Sequence, residues 1–517
     1  MPHGPFSMNS ENTHLLSQSF QDLQEDFEEL EYLINSQIEK IRTFLKDIKT
    51  TKAHIFPETY ADIISQAQTY IAVLTKQKET LAHALIRMNK NNLTEQVVMP
   101  FADQKLRTHD MLRTYQGIIG ALVTATDWQS PTFLHTIHSQ AGRQTGKIYA
   151  TINDYKRDQH WDAHDYERAF LKEYVDNWIK FPINAYVTAS GMAAFTTILS
   201  FLMLENKAKG AVVIGKSIYF ENKELVLKAF GDIVIEVDES DTDAILDCIK
   251  TVKPSIIILD SLANSPTIAV PDLDTIIPFL VKYSREETYL IIDNTCLSFT
   301  FQPLRYVFGK HSTVRLIVFE SLNKYHQFGM DRVTGGIIWC YGGDTIKLFD
   351  YRVALGTNMP DLAVASLPRP SRKFLTKRLL RHQRNTLALA SYLESYIIDH
   401  PDGPFARIIY PGLPNHPASV WKSRRAFNGS YFVVELKKRY QTIPSDKRFV
   451  AMVIREAKRD RLTFSSGTSF GFNTTRVYLT AVRYTKCIPF LRVSVGTEIS
   501  IDIERLKTVF TRVFNRF

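Results

Sequence analysis

The feature that most constrains the fold is a series of short apolar runs between residues 184 and 340. Each run reads as a buried strand, and helix-like segments such as Thr242–Thr251 and Leu273–Tyr283 lie between several of them. Strands that alternate with helices form a mainly parallel sheet covered on both faces, so the sequence predicts an α/β fold with seven strands. The predicted strands are Asn184–Val187, Ala211–Ile214, Ile233–Val237, Ser255–Leu259, Tyr289–Ile292, Val314–Phe319 and Gly336–Cys340.

Three of these apolar runs lead into residues that can do chemistry. Asp293 and Lys324 follow two consecutive runs, and Ser190-Gly191-Met192 opens a helix after a third. Ligands of parallel sheets gather at the carboxyl ends of the strands. A lysine can form a Schiff base, a carboxylate can pair with a pyridinium nitrogen, and a helix start can take a phosphate. Together these residues predict a site for pyridoxal 5′-phosphate.

The chain before the sheet reads as a helical extension, predicted to span residues 1–130. From Leu16 to Ile48 the apolar positions recur in steps of three and four, a heptad pattern typical of a long helix with one apolar seam. Two more helices are predicted over about Tyr60–Met88 and about Ala102–Thr126. Two roles stay open for this extension, which we name the arm. It serves oligomerisation or partner binding, or it packs on the body of the protein as a cover.

The remaining chain divides into a cofactor-binding α/β domain, predicted over residues 131–350, and a smaller α+β domain over residues 351–517. The second domain is predicted from a change in pattern after Asp350. Its predicted elements are a helix over Arg378–Tyr396, strands over Ser430–Leu436 and Phe490–Val495, and a closing amphipathic helix over Ile501–Phe514.

The composition fits a globular protein and argues against other classes. Hydrophobic residues make up 44% of the chain and charged residues 23%, and no window is apolar enough to span a membrane. The basic stretch Arg369–Arg384 is expected to be a solvated helix face rather than a nucleic-acid site. The four cysteines lie far apart and the histidines form no metal-like set, so neither disulfides nor a metal site is predicted. With no apolar signal core at the N terminus, we expect a cytoplasmic protein.

Six motifs follow one another in an order that resembles a known family. They are Tyr155-Lys156-Arg157, Ala189-Ser190-Gly191-Met192-Ala193-Ala194, Asp260-Ser261-Leu262-Ala263-Asn264-Ser265-Pro266, Asp293-Asn294-Thr295, Ser321-Leu322-Asn323-Lys324-Tyr325 and Arg492-Val493-Ser494-Val495-Gly496. From about residue 133 to the C terminus, the chain is similar to the cysteine/methionine-metabolism family of pyridoxal phosphate enzymes. That family includes cystathionine γ-synthase, cystathionine γ-lyase and methionine γ-lyase. Its members have the aspartate aminotransferase fold (fold type I).

The resemblance implies a role for each motif. Lys324, Tyr219 and Asp293 are the implied catalytic residues: the Schiff-base lysine, an aromatic stack and proton carrier, and the partner of the ring nitrogen. Arg492 and Ser465 are implied to face the substrate carboxylate. The implied cofactor-binding residues are Tyr155, Arg157, Ser190, Gly191, Met192, Tyr219, Asn264, Asp293, Ser321, Asn323 and Lys324. Tyr155 and Arg157 are implied to reach the cofactor of a neighbouring subunit, so a homodimer or homotetramer is expected. His382 and Asn385 are interpreted as structural.

The implied activity is γ-replacement on a γ-substituted amino acid, as in cystathionine γ-synthase. The sequence departs from the family in the arm, at Glu221, at Asn323 before the lysine, and in Phe328-Gly329-Met330-Asp331 after it. These departures favour a specialised enzyme. A γ- or β-eliminating lyase, an aminotransferase and a non-catalytic scaffold protein are alternatives, because a fold alone does not determine the reaction. No nucleic-acid or membrane partner is expected.

Overall fold

Two β-sheets organise the structure. The computed structural model describes residues 7–51, 56–90, 94–127, 129–130, 155–307, 312–482 and 488–517. The strands of the larger sheet are β1 (Ile183–Thr188), β2 (Val212–Gly215), β3 (Val234–Val237), β4 (Ile256–Asp260), β5 (Thr288–Asp293), β6 (Val314–Ser321) and β7 (Gly336–Tyr341). Their spatial order is β1-β7-β6-β5-β4-β2-β3.

This larger sheet is mainly parallel. Only β7 runs antiparallel to its neighbours β1 and β6, and the other pairs are parallel. β2 and β4 are buried at every residue, and β5 at all but its last, because helices cover both faces of the sheet. The predicted α/β fold with a seven-stranded sheet is confirmed. The helices of this part are α4 (Trp161–Tyr174), α5 (Gly191–Leu204), α6 (Phe220–Phe230), α7 (Thr242–Val252), α8 (Leu273–Tyr283), α9 (Leu304–Val307), α10 (Leu348–Ala354) and α11 (Asp361–Ala365).

The second sheet has five strands in the order β10-β11-β12-β9-β8. They are β8 (Phe405–Ile409), β9 (Tyr431–Leu436), β10 (Ser465–Ser466), β11 (Arg476–Thr480) and β12 (Phe490–Ser494), with helices α12 (Arg372–Asp399), α13 (Ile443–Arg459) and α14 (Ser500–Arg516). The sequence predicted β9, β12, α12 and α14. It missed β8, β10, β11 and α13. The burial of β8 is interrupted and β10 has two residues, so neither strand produces a clear apolar run.

The arm consists of α1 (Ser7–Thr51), α2 (Pro57–Lys90) and α3 (Glu95–Val123). Helix α3 starts earlier than predicted and holds Pro100 inside it. Pro100 lies in the second turn of α3, where a proline removes the hydrogen bond to the residue four positions before it and its ring crowds that carbonyl.

The arm packs on the body of the protein. This is the covering role that the sequence analysis left open beside oligomerisation or partner binding. The Asp22 carboxylate is fully buried and accepts hydrogen bonds from Arg384 Nη1 at 2.7 Å and from Ser500 Oγ at 2.8 Å. Arg378 and Arg381 are 4% and 5% exposed and pair with acidic residues of α1. The expected solvated face was therefore wrong for these two arginines, because the acidic side of α1 covers them.

Among the described residues, no helix is both long enough and apolar enough to cross a membrane. The domain boundaries at residues 130 and 350 stay a prediction.

Candidate active site

Helix α5 begins against the ends of two strands. Ser190 caps this helix, and its Oγ accepts a hydrogen bond from Ala193 N at 2.9 Å. A Cβ added at Gly191 would stand 2.9 Å from the Ser321 Cβ, and one added at Gly336 would stand 2.8 Å from Gly191 N. The predicted phosphate ligands Ser190, Gly191 and Ser321 are thus packed closely at a helix N-terminus, where backbone N–H groups favour an anion.

Asp293 is the last residue of β5, and it lies beside a second buried carboxylate. Its strand partner in β4 is Asp260, and its Oδ1 accepts a hydrogen bond from Thr295 N at 3.0 Å. Burial raises the pKa of Asp293 to about 6. Burial and the neighbouring Asp293 raise the pKa of Asp260 further above its ordinary value. A nearby cation would relieve this cost by favouring the charged carboxylate.

Lys324 and Arg492 meet at one residue, Ser469. Lys324 Nζ donates to Ser469 Oγ at 2.8 Å, and Arg492 Nη2 donates to the Ser469 carbonyl oxygen at 3.1 Å. Burial lowers the pKa of Lys324 to about 8, and the positive charge of Arg492 adds to this shift. Burial also lowers the pKa of Arg492. The lysine predicted to carry the cofactor and the arginine predicted to bind the substrate carboxylate therefore lie in one pocket.

Asn264 and Tyr219 complete the walls of this pocket. Asn264 Oδ1 accepts a hydrogen bond from Arg492 Nη1 at 2.7 Å, which directs its amide donor group away from the guanidinium. Tyr219 N donates to Asp260 Oδ2 at 3.0 Å, and this bond holds the tyrosine at the start of α6. Tyr219 also acts electrostatically on Arg492. Asn264 thus contacts Arg492, and Tyr219 contacts Asp260, the strand partner of Asp293.

Asn323 holds the backbone that follows it. Its Oδ1 accepts a hydrogen bond from Gly335 N at 2.9 Å, and Leu322 N donates to the Gly335 carbonyl oxygen at 2.9 Å. Among the described residues, no acceptor takes up the Asn323 amide group, so it can donate to a phosphate.

Three predicted residues lie apart from these contacts. The Arg157 side chain is 63% exposed, pairs with Asp158, and lies over the Tyr155 ring with Cζ 4.7 Å from the ring centroid. Between them, Lys156 is buried and forms ion pairs with Asp127 and Asp361, each at 2.7 Å. Ser465 is half-buried in β10, in register with Arg476. Tyr155 and Arg157 are therefore presented outward from a fixed backbone.

Ser469 and Asp260 were missed as site residues. Ser469 has φ +73°, a left-handed conformation that the sequence does not signal at a serine. Asp260 belongs to the motif Asp260–Pro266. Its position at the end of β4, in register with Asp293 in β5, could have identified it as a site residue.

The comparisons with known proteins identify the family. The chain has the fold of known pyridoxal phosphate enzymes. It matches cystathionine gamma synthase from Xanthomonas oryzae pv. oryzae, solved in complex with cystathionine, with a TM-score of 0.56 and 19% identity over 72% of this chain and 91% of that one. It matches cystathionine gamma-lyase from Lactobacillus plantarum with a TM-score of 0.56 and 22% identity over 75% and 94%. The profile of the Cys/Met metabolism PLP-dependent enzymes matches residues 130–467, so the chain belongs to this family.

The curated relatives are matched over only part of their length. The bifunctional enzyme flvA of Aspergillus flavus is 24% identical over 61% of this chain and 37% of its own length. The cystathionine beta-lyase of Coxiella burnetii is 29% identical over 49% of this chain and 62% of its own length. The chain thus spans less than two thirds of each of these two relatives. The predicted family and its cofactor, pyridoxal phosphate, are confirmed.

The described residues fit that cofactor on two observations. The helix start at Gly191 is so close to Ser321 that a side chain at position 191 would disrupt the cradle. Burial raises the pKa of the Asp293 carboxylate at the end of β5, and a cationic ring nitrogen beside it would favour its charged form.

Proposed function

We propose that this protein catalyses γ-replacement on a γ-substituted amino acid, in the manner of a cystathionine γ-synthase. The observation that carries the proposal is the meeting of Lys324 and Arg492 at Ser469, close enough to Asp293 for its charge to act on the lysine. A base, a carboxylate receptor and a buried anion in one pocket suit an amino-acid substrate and a pyridinium cofactor.

The residues that would hold pyridoxal phosphate are those around the start of α5 and the ends of β5 and β6. Ser190, Gly191, Met192, Ser321 and Asn323 would hold the phosphate, as their packing at a helix N-terminus supports. When bound, the cofactor supplies an imine carbon for the amino group and an electron sink for the electrons of the broken Cα–H bond.

Other side chains orient the bound cofactor. Asp293 would keep the ring nitrogen protonated, Tyr219 would stack on the ring, and Asn264 would donate to the phenolic oxygen. Asp260 fixes Tyr219 through the backbone hydrogen bond at 3.0 Å. Met192 lies in the first turn of α5, beside Gly191.

Lys324 is the proton carrier at Cα. Its pKa of about 8 leaves part of the amine neutral near pH 7, and only the neutral amine can accept a proton. Arg492 Nε finds no hydrogen-bond partner among the described residues, and a substrate carboxylate offers it an acceptor. With the carboxylate held there, Cα is brought towards Lys324. A Cβ proton then leaves, the electrons of that bond expel the γ-leaving group, and Lys324 or the Tyr219 hydroxyl protonates it.

The active enzyme is proposed to be a homodimer or a homotetramer. Lys156, locked by Asp127 and Asp361, holds Tyr155 and Arg157 outward, where they could reach the phosphate of a neighbouring subunit. Arginine suits this task because its planar fork of donors matches a phosphate. We propose that the protein acts in the cytoplasm.

Elimination is the second candidate. Relatives named cystathionine beta-lyase and cystathionine gamma-lyase match this chain about as well as those named cystathionine gamma-synthase. A lyase would use the same proton carrier and the same arginine, and it would release a keto acid and ammonia.

Incubation in deuterated water separates these reactions. The purified holoenzyme is given L-cystathionine, L-methionine, or an O-acyl-L-homoserine with and without L-cysteine, and deuterium incorporation is followed by NMR. γ-Replacement predicts exchange at Cα and Cβ and a new thioether only when the thiol is present. Keto acid formed while the recovered substrate is exchanged at Cα alone indicates β-elimination, and keto acid formed while the recovered substrate is exchanged at both Cα and Cβ indicates γ-elimination. No exchange and no product with any amino acid would favour a scaffold protein.

A further inference from the structure

The chain between Lys324 and Gly336 forms a strained turn, residues 325–335, which we name the post-lysine turn. Phe328, Gly329 and Asp331 have φ values of +51°, +81° and +45°. Side chains other than glycine rarely adopt this left-handed region, and such positions persist only where surrounding contacts hold them. Phe328 is fully buried, so its unusual backbone lies inside the protein.

Both ends of the post-lysine turn belong to the candidate active site. It starts directly after Lys324, and Gly335 N donates to Asn323 Oδ1 at its other end. The Asp331 carboxylate acts electrostatically on Lys324. A shift of the turn would therefore move the catalytic lysine and a charge that acts on it.

The arm holds this turn through His109 of α3. His109 Nε2 lies 2.9 Å from the Phe328 carbonyl oxygen, and both atoms are buried. Burial lowers the pKa of His109 to about 4, so the ring is neutral near pH 7. A carbonyl oxygen only accepts, so Nε2 carries the proton and donates it. Tyr32 of α1 adds an aromatic contact, with its ring centroid 6.2 Å from that of Phe328.

The same face of α3 also reaches the segment after Arg492. Lys105 lies one helical turn before His109, and its Nζ donates to the Thr497 carbonyl oxygen at 2.8 Å. Farther along α3, Gly117 has no side chain, and this absence lets Arg332 of the post-lysine turn lie against the helix. One helix of the arm thus contacts both the segment after the lysine and the segment after the arginine.

We infer that His109 is a positioning residue, through which the arm holds the post-lysine turn and with it Lys324 in the geometry that the reaction needs. The inference rests on the proposed function for its kinetic part. It gives the arm a task in catalysis beyond covering the body, and it links the two departures from the family that lie farthest apart in the sequence.

Two conservative variants test the hydrogen bond itself. In His109→Gln, the amide can reach the position of the imidazole Nε2 and donate to the Phe328 carbonyl oxygen. In His109→Asn, the side chain also ends in a neutral amide, but it is too short for that amide to reach the Phe328 carbonyl oxygen. Lys40→Met is the control for general loosening of the arm, because Lys40 Nζ joins α1 to the carbonyl oxygens of Ala365 and Leu367 at 2.7 and 2.6 Å.

Two measurements are made on the full chain. Hydrogen–deuterium exchange of the peptide covering residues 325–335, on protein without cofactor, reports on the turn independently of activity. The rate of Cα deuterium exchange with L-cystathionine or L-methionine, together with its kcat and KM, reports on Lys324 in the holoenzyme.

We expect His109→Asn to speed amide exchange in the turn and to lower kcat for Cα exchange by roughly 10- to 100-fold, because small misplacements of a catalytic group have effects of this size. His109→Gln should return both values close to those of the wild type. Lys40→Met should lower the melting temperature and leave both values unchanged.

Wild-type values in His109→Asn, or an equal loss in Lys40→Met, would overturn the inference. If His109→Asn does not fold, Tyr32→Leu takes its place. It removes the aromatic contact to Phe328, and the same two measurements are made on it. If the wild-type enzyme exchanges no amino acid at all, the proposed function fails, and the amide exchange of the turn still decides whether His109 positions it.

Discussion

The two sides of the pocket are built in different ways. The cofactor side uses the ends of regular elements: Asp293 ends β5, Ser321 ends β6 and Ser190 caps α5. The substrate side combines Arg492 of strand β12 with irregular backbone, which has left-handed residues at Ser469 and in the post-lysine turn. The first side follows from strand and helix boundaries, whereas the second depends on packing from distant parts of the chain. We therefore expect changes on the cofactor side to abolish the spectrum, and changes on the substrate side to alter rates and affinities.

The largest effect is expected from Lys324→Ala. The purified wild-type protein should be yellow, and this variant should lose that visible band, because no amine is left to form the Schiff base. The rate of Cα exchange should fall by about 10²–10⁴-fold or more with the loss of the proton carrier. Far-ultraviolet circular dichroism should stay unchanged, since Lys324 is only half-buried. A visible spectrum that survives in this variant would contradict the cofactor assignment.

Arg492→Ala should act mainly on the substrate side, although it also removes the hydrogen bond to Asn264. Loss of a charge-assisted hydrogen bond costs ~1.5–3 kcal/mol, which raises KM by roughly 10- to 150-fold. The cofactor spectrum should persist, because the cradle at Gly191 does not involve Arg492. Titration of the substrate-induced spectral change measures this, and Arg492→Lys is the matched control that keeps the charge without the fork. An unchanged concentration dependence would remove Arg492 from the carboxylate site.

Mixed dimers test whether a second subunit completes the cofactor side of the active site. Subunits with Arg157→Ala and subunits with Lys324→Ala should be weak or inactive alone. After subunit exchange, each hybrid dimer should regain one site with both residues intact. For random mixing, that restores about a quarter of the wild-type activity. No recovery after exchange has been verified by mass spectrometry would leave Arg157 as a surface residue.

The smallest effect concerns the stability of the protein without cofactor. Burial lowers the pKa of Lys324 from 10.5 to about 8, so the folded state disfavours the charged amine. This cost grows as the pH falls from about 10.5 to about 8 and is complete below that. Lys324→Met should therefore stabilise the cofactor-free protein by on the order of 1–3 kcal/mol at pH 7, and the gain should vanish near pH 10.5.

Thermal melting at the two pH values measures this gain, with the exposed Lys447→Met as control. A gain that is equal at both pH values would show that lost charge is not its cause.

Much of the fold could be predicted from the sequence, because the buried strands of the larger sheet are continuous apolar runs. Their order also placed Asp293, Ser321 and Lys324 at one edge, as the structure has them. The meeting of Lys324 and Arg492 at Ser469 could not be predicted from strand patterns. It depends on a left-handed serine between β10 and β11, and on how the two sheets pack against each other.

The packing of the arm was even harder to predict from the sequence. Its heptad pattern predicted helices, and yet a seam that binds another subunit and a seam that packs on its own chain look alike in sequence. The polar contacts that decide between them, such as Asp22 with Arg384, pair residues 362 positions apart.

The buried Asp22 also has a consequence for how the protein is made. Helix α1 leaves the ribosome long before Ser500, a partner of Asp22. Until then, the part of α1 that packs on the body is exposed to solvent and to other chains, although its contacts with α2 and α3 can already form. Contacts between residues so distant in sequence form slowly. The nascent chain should therefore depend on chaperones to keep the arm from aggregating, and a truncation that removes α14 should do more harm to solubility than its length suggests.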